Sequence, residues 1–467
     1  MKINANKGQA MSAPAGKLAS LALPTLLSSL AASVTNVSLP TLVQAFDASF
    51  QDVQWVVLSY LLAITTLIIG VGRLGDIVSR RNLLLAGIGL FIIASLGCAL
   101  APTIGFLITA RALQGLGAAV MMTITLALVG ETINQERMGR AMGLLGTLSA
   151  VGTSLGPTVG GVLIAGVGWQ AIFLINLPLG AIALGLVWYF LPVSAPQPGV
   201  KPRGFDHGGM ALLGLTLVLF ALAMTLGKGH FSMLNIALLL GATAGARLFV
   251  WVENKACSPL IDMALLRQPA LSISLITNML VTLVMMTTLV VGPFYLSHGL
   301  GLAPQQVGLS LSIGPLIAAL SGVPAGYLVD RFGTRKMVIV GLAGVSVGAC
   351  VLSVISPPLG ILGYVLPVCL LTAGYALFQA ANNTAVIKEV TSNQRGVVSG
   401  LLNLSRNLGF ICGASAIGAL FALMSASGDT TRGMQFSYLV AGLLTVAGLA
   451  MTLANHFWQE RQAIKSS

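Results

Sequence analysis

The chain has 467 residues, of which 56% are hydrophobic and 8% are charged. Too few charged residues are present to cover a soluble globule, so the composition indicates a polytopic membrane protein. The net charge of +12 does not indicate a nucleic-acid-binding protein, because blocks of basic residues interleaved with aromatic residues are absent.

Fourteen apolar stretches are each long enough to cross a bilayer. They are residues 18–46, 53–73, 82–101, 104–130, 138–165, 169–191, 208–227, 231–252, 269–298, 304–329, 337–356, 358–386, 394–424 and 434–458. An even number of spans places both termini on one side of the membrane. The predicted outer loops hold only Lys228 and Arg432, so the excess of Lys and Arg predicts that both termini of this multi-pass protein lie in the cytoplasm.

One charged stretch occurs twice, as GRLGDIVSRR at Gly72–Arg81 and as GYLVDRFGTR at Gly326–Arg335. Each copy is predicted to be a tight turn between two spans. Asp76 follows the second span and Asp330 follows the tenth, so the copies are eight spans apart. A duplication of six spans would separate them by six, which indicates that two spans have been inserted between the halves.

The predicted domains follow from this spacing. Residues 1–191 form an N-terminal six-helix bundle, residues 192–268 hold helices 7 and 8 with their connectors, and residues 269–467 form a C-terminal six-helix bundle.

Four further stretches strengthen the pattern. They are QWVVLSYLLA at Gln54–Ala63, RALQGLGAAV at Arg111–Val120, GTSLGPTVGG at Gly152–Gly161 and GWQAIFLINLPLG at Gly168–Gly180. Together with the paired turn, they resemble the major facilitator superfamily, and specifically its fourteen-helix drug:proton antiporter branch. The resemblance implies an all-α integral membrane fold of two six-helix bundles plus two inserted helices, which works as an exporter with alternating access and no cofactor.

The resemblance also implies that the paired turn is a conformational latch that opens during transport. The residues concerned are Gly72, Asp76, Arg80, Arg81, Gly326, Asp330, Arg331 and Arg335. A simple topology anchor is the alternative.

The fifth span carries glycines at intervals of about four residues, which places Gly152, Gly156 and Gly160 on one helix face. Such a stripe permits a close helix contact, and Pro157 removes one backbone hydrogen bond. Together with Gly161, these residues resemble the motif that marks antiporters rather than importers. A purely structural stripe is the alternative.

One position departs from the branch. Its first span usually carries an aspartate, but the matching run Leu30–Pro40 has Ala31 there. Every Asp and Glu is predicted to lie in a loop or at a helix end, so no obvious intramembrane proton carrier is present. The remaining candidates for a proton carrier are Glu131, at the inner end of the fourth span, and Asp76, in the repeated turn. Arg111 and Arg406 lie inside predicted spans and are candidates for coupling or for binding a charged substrate group.

Amide, aromatic and thioether side chains inside the spans are suited to adaptable binding of amphiphilic molecules. The cavity candidates are Thr35, Asn36, Gln54, Tyr60, Gln114, Asn278, Met285, Met286, Tyr295, Tyr375, Phe378, Gln379, Asn382, Asn383, Asn403 and Asn407.

The leading hypothesis is therefore a bacterial-type exporter of amphiphilic drugs or toxic compounds in the cell inner membrane, which would confer antibiotic resistance as a proton antiporter. We expect a monomer whose partners are the small-molecule substrate, protons and membrane lipid, with no nucleic acid, no metal and no catalytic residues. One alternative is an exporter or facilitator of an anionic or neutral metabolite or lipid with altered or absent proton coupling. Another is a non-transporting membrane sensor or scaffold.

Overall fold

The computed structural model describes residues 5–132, 135–191, 207–226, 232–255, 266–355, 357–389, 395–426 and 428–466. Nearly all of these residues are helical, and the described ranges contain no strand. The predicted all-α membrane fold is confirmed. Of the polar connector that the sequence predicts at 192–207, only His207 is among the described residues, and it begins a helix.

The first half contains seven helices. They are α1 (Ala5–Ala45), α2 (Phe50–Ile77), α3 (Arg80–Ala99), α4 (Ile104–Thr132), α5 (Gln135–Gly166), α6 (Ala171–Leu174) and α7 (Asn176–Phe190). The pair that the sequence predicts to be inserted consists of α8 (His207–Thr225) and α9 (Met233–Lys255).

The second half contains α10 (Pro269–Phe294), α11 (Pro304–Phe332), α12 (Thr334–Leu352), α13 (Gly360–Glu389), α14 (Arg395–Cys412), α15 (Gly418–Met424) and α16 (Thr430–Ser466). A π-helical turn at Tyr295–Gly299 extends α10, and another at Gly413–Ile417 joins α14 to α15. The sequence predicted uninterrupted helices at both places.

Within the described residues, 13 helices are long and apolar enough to cross a membrane. Helix α5 contributes the shorter apolar stretch Val151–Gly166. The spans run alternately up and down, so α1 begins and α16 finishes at the same end of the molecule. We call this the terminal end and the opposite one the distal end.

The repeated stretch is mostly helical rather than a loop. Helix α2 continues to Ile77 and α3 begins at Arg80, while in the second copy Gly333 alone separates α11 from α12. Gly333 has a φ of 86°, a backbone conformation that glycine adopts without steric cost. Helices α3 and α12 therefore begin at the same position of the two copies.

The helices pack into two groups joined at a few places. In the first half α1 packs on α5 and α7, α2 on α4, and α3 on α4 and α7. In the second half α12 packs on α13 and α16, α11 on α13, and α10 on α14 and α16. Helix α8 of the inserted pair packs on α9 and α2, and the two halves meet chiefly where α5 packs on α11, with smaller contacts of α1 with α10 and α2 with α14.

Candidate functional site

A buried cation lies among α2, α3 and α4. Arg111 on α4 is fully buried. Its Nε donates to the carbonyl oxygen of Val56 at 3.0 Å, and its Nη1 donates to Oε1 of Gln114 at 2.5 Å. Its Nη2 is buried with no hydrogen-bond partner among the residues that the structure describes. The site can therefore still offer the N–H groups of Nη2 to an anion, a carbonyl group or water.

Neighbouring side chains fix the orientation of this arginine. Gln114 donates from Nε2 to Ser95 Oγ at 2.7 Å, which links α4 to α3. The ring of Tyr60 lies 4.2 Å from the Arg111 guanidinium carbon, a distance at which the ring face attracts a cation. The guanidinium is thus held by α2, α4 and an aromatic face, while α3 holds its amide partner.

Tyr60 connects this cluster to α1. Its hydroxyl donates to the carbonyl oxygen of Ser28 at 3.0 Å. Ala31 lies one turn further along α1 and is buried, so the missing acid of the first span would have stood one turn from the Tyr60 contact. Asn36 is also buried, and its Oδ1 accepts no hydrogen bond from the described residues.

A second polar cluster holds three helices of the second bundle together. Asn278 on α10 donates from Nδ2 to the carbonyl oxygen of Leu402 at 3.0 Å and to Ser405 Oγ at 3.3 Å. Its Oδ1 accepts from Gln379 Nε2 at 3.1 Å. Asn278 therefore joins α10 to both α13 and α14, and Asn382 adds a bond from Nδ2 to the carbonyl oxygen of Ser274 at 3.4 Å.

Arg406 on α14 is half-buried rather than enclosed. Its Nη2 donates to Asn403 Oδ1 at 3.0 Å, whereas its Nε is buried and makes no hydrogen bond with described residues. Unlike Arg111, it has no aromatic face beside it within the described part of the chain, so the structure does not bring the two predicted cations into one cluster.

The glycine face of α5 lies against α1. A Cβ at Gly152 would lie 2.7 Å from the carbonyl oxygen of Leu26, and one at Gly160 would lie 3.0 Å from Val34 Cγ2. A Cβ at Gly156 would overlap Ser33. The two helices therefore approach closely only because these positions lack a side chain.

The same helix contacts the other bundle at the distal end. A Cβ at Gly161 would lie 3.1 Å from Gly308 Cα on α11, and one at Gly308 would overlap the carbonyl oxygen of Pro157. Thr158 and Ser312 hydrogen-bond through their hydroxyls across the same contact.

Aromatic rings extend this closure of the distal end. The ring centroid of Phe50 lies 4.7 Å from that of Phe294 and 5.3 Å from that of Phe421. Below them, Gln54 Nε2 donates to the carbonyl oxygen of Ala414 at 2.5 Å. Sequence reasoning missed the three phenylalanines, because each is an ordinary apolar residue of a different helix and no spacing connects them.

The first copy of the repeated stretch places two arginines against helix ends. Arg80 Nε donates to the carbonyl oxygen of Gly75 at 3.1 Å. Arg81 is buried, its Nη2 donates to the carbonyl oxygen of Trp188 at 2.6 Å, and its guanidinium carbon lies 5.0 Å from the Trp188 ring. A carbonyl in the last turn of α7 is a favourable partner for a cation.

The second copy is more exposed. Asp330, Arg331 and Arg335 are exposed, and Gly326 lies in α11 without close neighbours. In the first copy, Gly72 lies in α2 and the side chain of Asp76 lies outside the described part of the structure, so the predicted charge cluster around Asp76 stays a prediction.

The remaining candidates fall into three groups. Met286, Tyr295, Phe378 and Asn407 are buried, and Tyr375 is half-buried. The side chain of Glu131 is not among those described. Glu253 is a carboxylate that sequence reasoning underrated: it lies at the end of α9, where solvation is expected, yet only 2% of it is exposed.

No cluster of His, Cys, Asp and Glu suited to a metal ion occurs within the described ranges. The arrangement instead offers hydrogen bonds, ring faces and fixed positive charge to a small molecule.

Comparisons with known proteins identify the fold and its relatives. The model of the Major Facilitator Superfamily matches residues 21–414 and again residues 273–465. The chain is 30% identical over 381 residues to the multidrug resistance protein Stp of Mycobacterium tuberculosis, an alignment that covers 79% of this chain and 69% of the relative. It is also 30% identical to the uncharacterized transporter YebQ of Escherichia coli (95% of this chain and 94% of the relative) and to the riboflavin transporter RibZ of Clostridioides difficile (83% and 84%).

A solved POT family transporter superposes with a TM-score of 0.70 at 16% identity, covering 94% of this chain and 96% of that chain. This likeness concerns the fold alone. The relatives and structural neighbours are transporters, not enzymes.

Proposed function

Because the chain belongs to the Major Facilitator Superfamily, we propose that this membrane transporter exports amphiphilic drugs or other toxic compounds by proton antiport. The two six-helix bundles rock about a central cavity. The inserted pair α8 and α9 moves with the first bundle, because α8 packs on α2. The chain works as a monomer in the cell inner membrane with both termini in the cytoplasm. The terminal end is then cytoplasmic, and the conformation described here is closed toward the outside.

The contact between α5 and α11 carries the proposal. Gly161 and Gly308 meet backbone to backbone between the two bundles, and Thr158 with Ser312 adds only one hydroxyl pair. Such a surface can separate without leaving a buried charge or a deep interlocking side chain behind. An outer gate that must open and close in each cycle needs this property.

Substrate selectivity is proposed to reside in the buried amide and aromatic groups. Gln54, Tyr60, Asn278 and Phe378 present hydrogen bonds and ring faces in apolar surroundings, which suits amphiphilic molecules of varied shape. Several relatives are named as drug-resistance or drug-efflux proteins. One of them is the methylenomycin A resistance protein of Streptomyces coelicolor, which is 27% identical over 93% of this chain and 91% of its own length.

Arg111 is proposed to take part in coupling. Its Nη2 is buried without a described partner, and an arginine cannot release its proton in a protein. The group therefore stabilises a carboxylate, a water or a substrate anion nearby, and Glu131 and Arg406 are the other proposed participants. The paired arginine turn acts as the latch at the terminal end.

A second candidate is transport of a neutral or anionic metabolite without proton exchange. It is favoured by Ala31, since the buried position on α1 carries no acid while the buried cation one helix away is kept. The riboflavin transporter among the relatives makes a polar heteroaromatic compound a reasonable test substrate.

Transport in everted membrane vesicles separates the two candidates. Under drug:proton antiport, acidifying the vesicle interior drives uptake of a cationic dye such as ethidium, and an uncoupler abolishes it. Riboflavin uptake that is insensitive to the uncoupler identifies the second candidate. Vesicles that move none of a panel of drugs or riboflavin, with or without a pH gradient, contradict both.

A further inference from the structure

A second polar site lies at the terminal end of the second bundle, away from the contact between the bundles. A cavity of about 80 Å³ opens there between α10, α12, α13 and α16. Its polar lining comes from all four helices and consists of Ser274, Thr277, Arg335, Asn382, Thr452, Asn455 and His456. No Asp or Glu is among the described residues that line it.

The internal repeat allows this cavity to be compared with the equivalent place in the first bundle. Arg335 occupies the same position of the second copy as Arg81 does in the first, the second residue of α12 and of α3. In the first bundle α3 packs on α7, and Arg81 is buried against the Trp188 carbonyl oxygen and ring.

In the second bundle α12 packs on α16 in the same manner, but Arg335 stays exposed and lines the cavity. It makes no hydrogen bond or ion pair with the residues that the structure describes. One copy of the arginine is thus used for internal bonding, whereas the other leaves its guanidinium donors available.

The depth of the cavity in the membrane is defined by the ends of four spans. Arg335 lies in the first turn of the span Thr334–Leu352, and His456 lies at the end of the span Thr430–Phe457. Ser274 and Asn382 lie within the first and last two turns of theirs. Arg335 and His456 therefore lie at the level of the lipid headgroups, whereas Ser274, Thr277 and Asn382 lie deeper.

The lining favours a phosphate group. A guanidinium presents paired donors that match phosphate oxygens, and the imidazole and the two amides add further N–H donors. A water molecule needs about 10–15 Å³ of comparable volume, so a cavity of about 80 Å³ has room for a tetrahedral anion with part of its ester linkage.

We propose that this cavity binds a phosphate group at headgroup depth, through Arg335 together with His456 and Asn455. The two sources of that chemistry are an anionic phospholipid and a free phosphate ion or ester from the cytoplasm.

The test uses the purified full-length chain in neutral detergent. Thermal unfolding is followed during titration with phosphatidylglycerol, phosphatidylcholine or inorganic phosphate, and bound lipid is counted by native mass spectrometry. We expect phosphatidylglycerol, and not phosphatidylcholine, to raise the melting temperature and to remain bound. Arg335→Gln should raise the half-saturating concentration roughly tenfold, as expected for loss of a charge-assisted hydrogen bond.

Arg331→Gln is the matched control, because this exposed arginine is one turn earlier, loses the same charge and does not line the cavity. It should leave the half-saturating concentration unchanged. Ala385→Met fills the cavity while keeping every charge, and it should also weaken binding, which keeps the proposal testable if Arg335→Gln does not fold.

Each outcome is decisive. Inorganic phosphate that reproduces the stabilisation supports the site and identifies a soluble anion as its occupant. Absence of stabilisation by both anions, or equal loss in Arg331→Gln and Arg335→Gln, overturns the proposal.

Discussion

Gln54 on α2 donates from Nε2 to the carbonyl oxygen of Ala414 in the π-helical turn that follows α14, at 2.5 Å. This bond joins the two halves of the chain just below the ring contacts of Phe50. Gly418 is required for it, because a Cβ there would overlap the Gln54 amide. The π-helical turn thus supplies both the acceptor and the space for the donor.

Gly418→Val should prevent closure of the distal end. The added side chain occupies the place of the Gln54 amide, so the bundles cannot approach to the distance described here. We expect the distance between spin labels on the distal ends of α2 and α15 to shift to longer values, with transport reduced at least tenfold. Gly166→Ala, at an open position at the end of α5, should leave both measurements unchanged.

Replacing Gly308 by Leu should stop transport without unfolding the protein. The new side chain meets the backbone of Pro157 and Gly161, so the contact between α5 and α11 cannot form, while the packing inside each bundle is kept. Dye efflux from cells and the melting temperature of the purified protein measure the two effects.

Gly322→Leu is the control for this substitution, since Gly322 lies on the same helix and a Cβ added there would have no neighbouring atom within 4 Å. Equal loss of transport in both variants would contradict a specific role for the contact.

Arg111→Lys should impair transport although the charge is kept. A lysine ammonium cannot reproduce the simultaneous bonds to Val56 and Gln114 together with the stacking on Tyr60. We expect at least a tenfold loss of transport rate. Arg111→Ala should additionally lower the free energy of unfolding by about 1–3 kcal/mol, because Gln114 Oε1 loses its donor in a buried site.

Asn278→Leu should loosen the second bundle. It leaves the Leu402 carbonyl and the Gln379 amide without the partners that they have now. A destabilisation of roughly 1–2 kcal/mol is expected from bonds between membrane helices, measured as a lower melting temperature. Asn383→Ala, an exposed asparagine on α13, should leave the melting temperature unchanged.

The sequence predicted the helices and their order well, because the length of each apolar stretch depends only on the local composition of the chain. The spacing of Gly152, Gly156 and Gly160 likewise determined which face they share, and that face lies on α1. The three phenylalanines at the distal end could not be predicted as a group, because tertiary packing alone brings Phe50 beside Phe294 and Phe421. Nor could the π-helical turns, which leave no distinct pattern in the sequence.

The burial of charged residues was the other property that could not be predicted from the sequence. Helix-end position predicted that Glu253 is solvated, yet it is buried, and Arg81 in the first turn of α3 is buried as well. The environment of a charged residue at a helix end can therefore be assigned only when the packing of the neighbouring helices is known. Arg81 and Arg335 illustrate this, since equal positions in the repeat have unequal surroundings.

Ala31→Asp tests the coupling mechanism. The substituted carboxylate would lie one turn from the Ser28 carbonyl that Tyr60 contacts, and Tyr60 in turn stacks on Arg111. Desolvation strengthens proton binding by a buried carboxylate, whereas a nearby cation weakens it. Where these two effects balance, the carboxylate takes up and releases a proton during transport. If the chain is a drug antiporter that couples weakly, Ala31→Asp should increase ethidium efflux driven by a pH gradient severalfold. Ala31→Asn, which adds similar volume without a titratable group, should give no increase, and equal gains from both substitutions would exclude a proton-carrying role for this position.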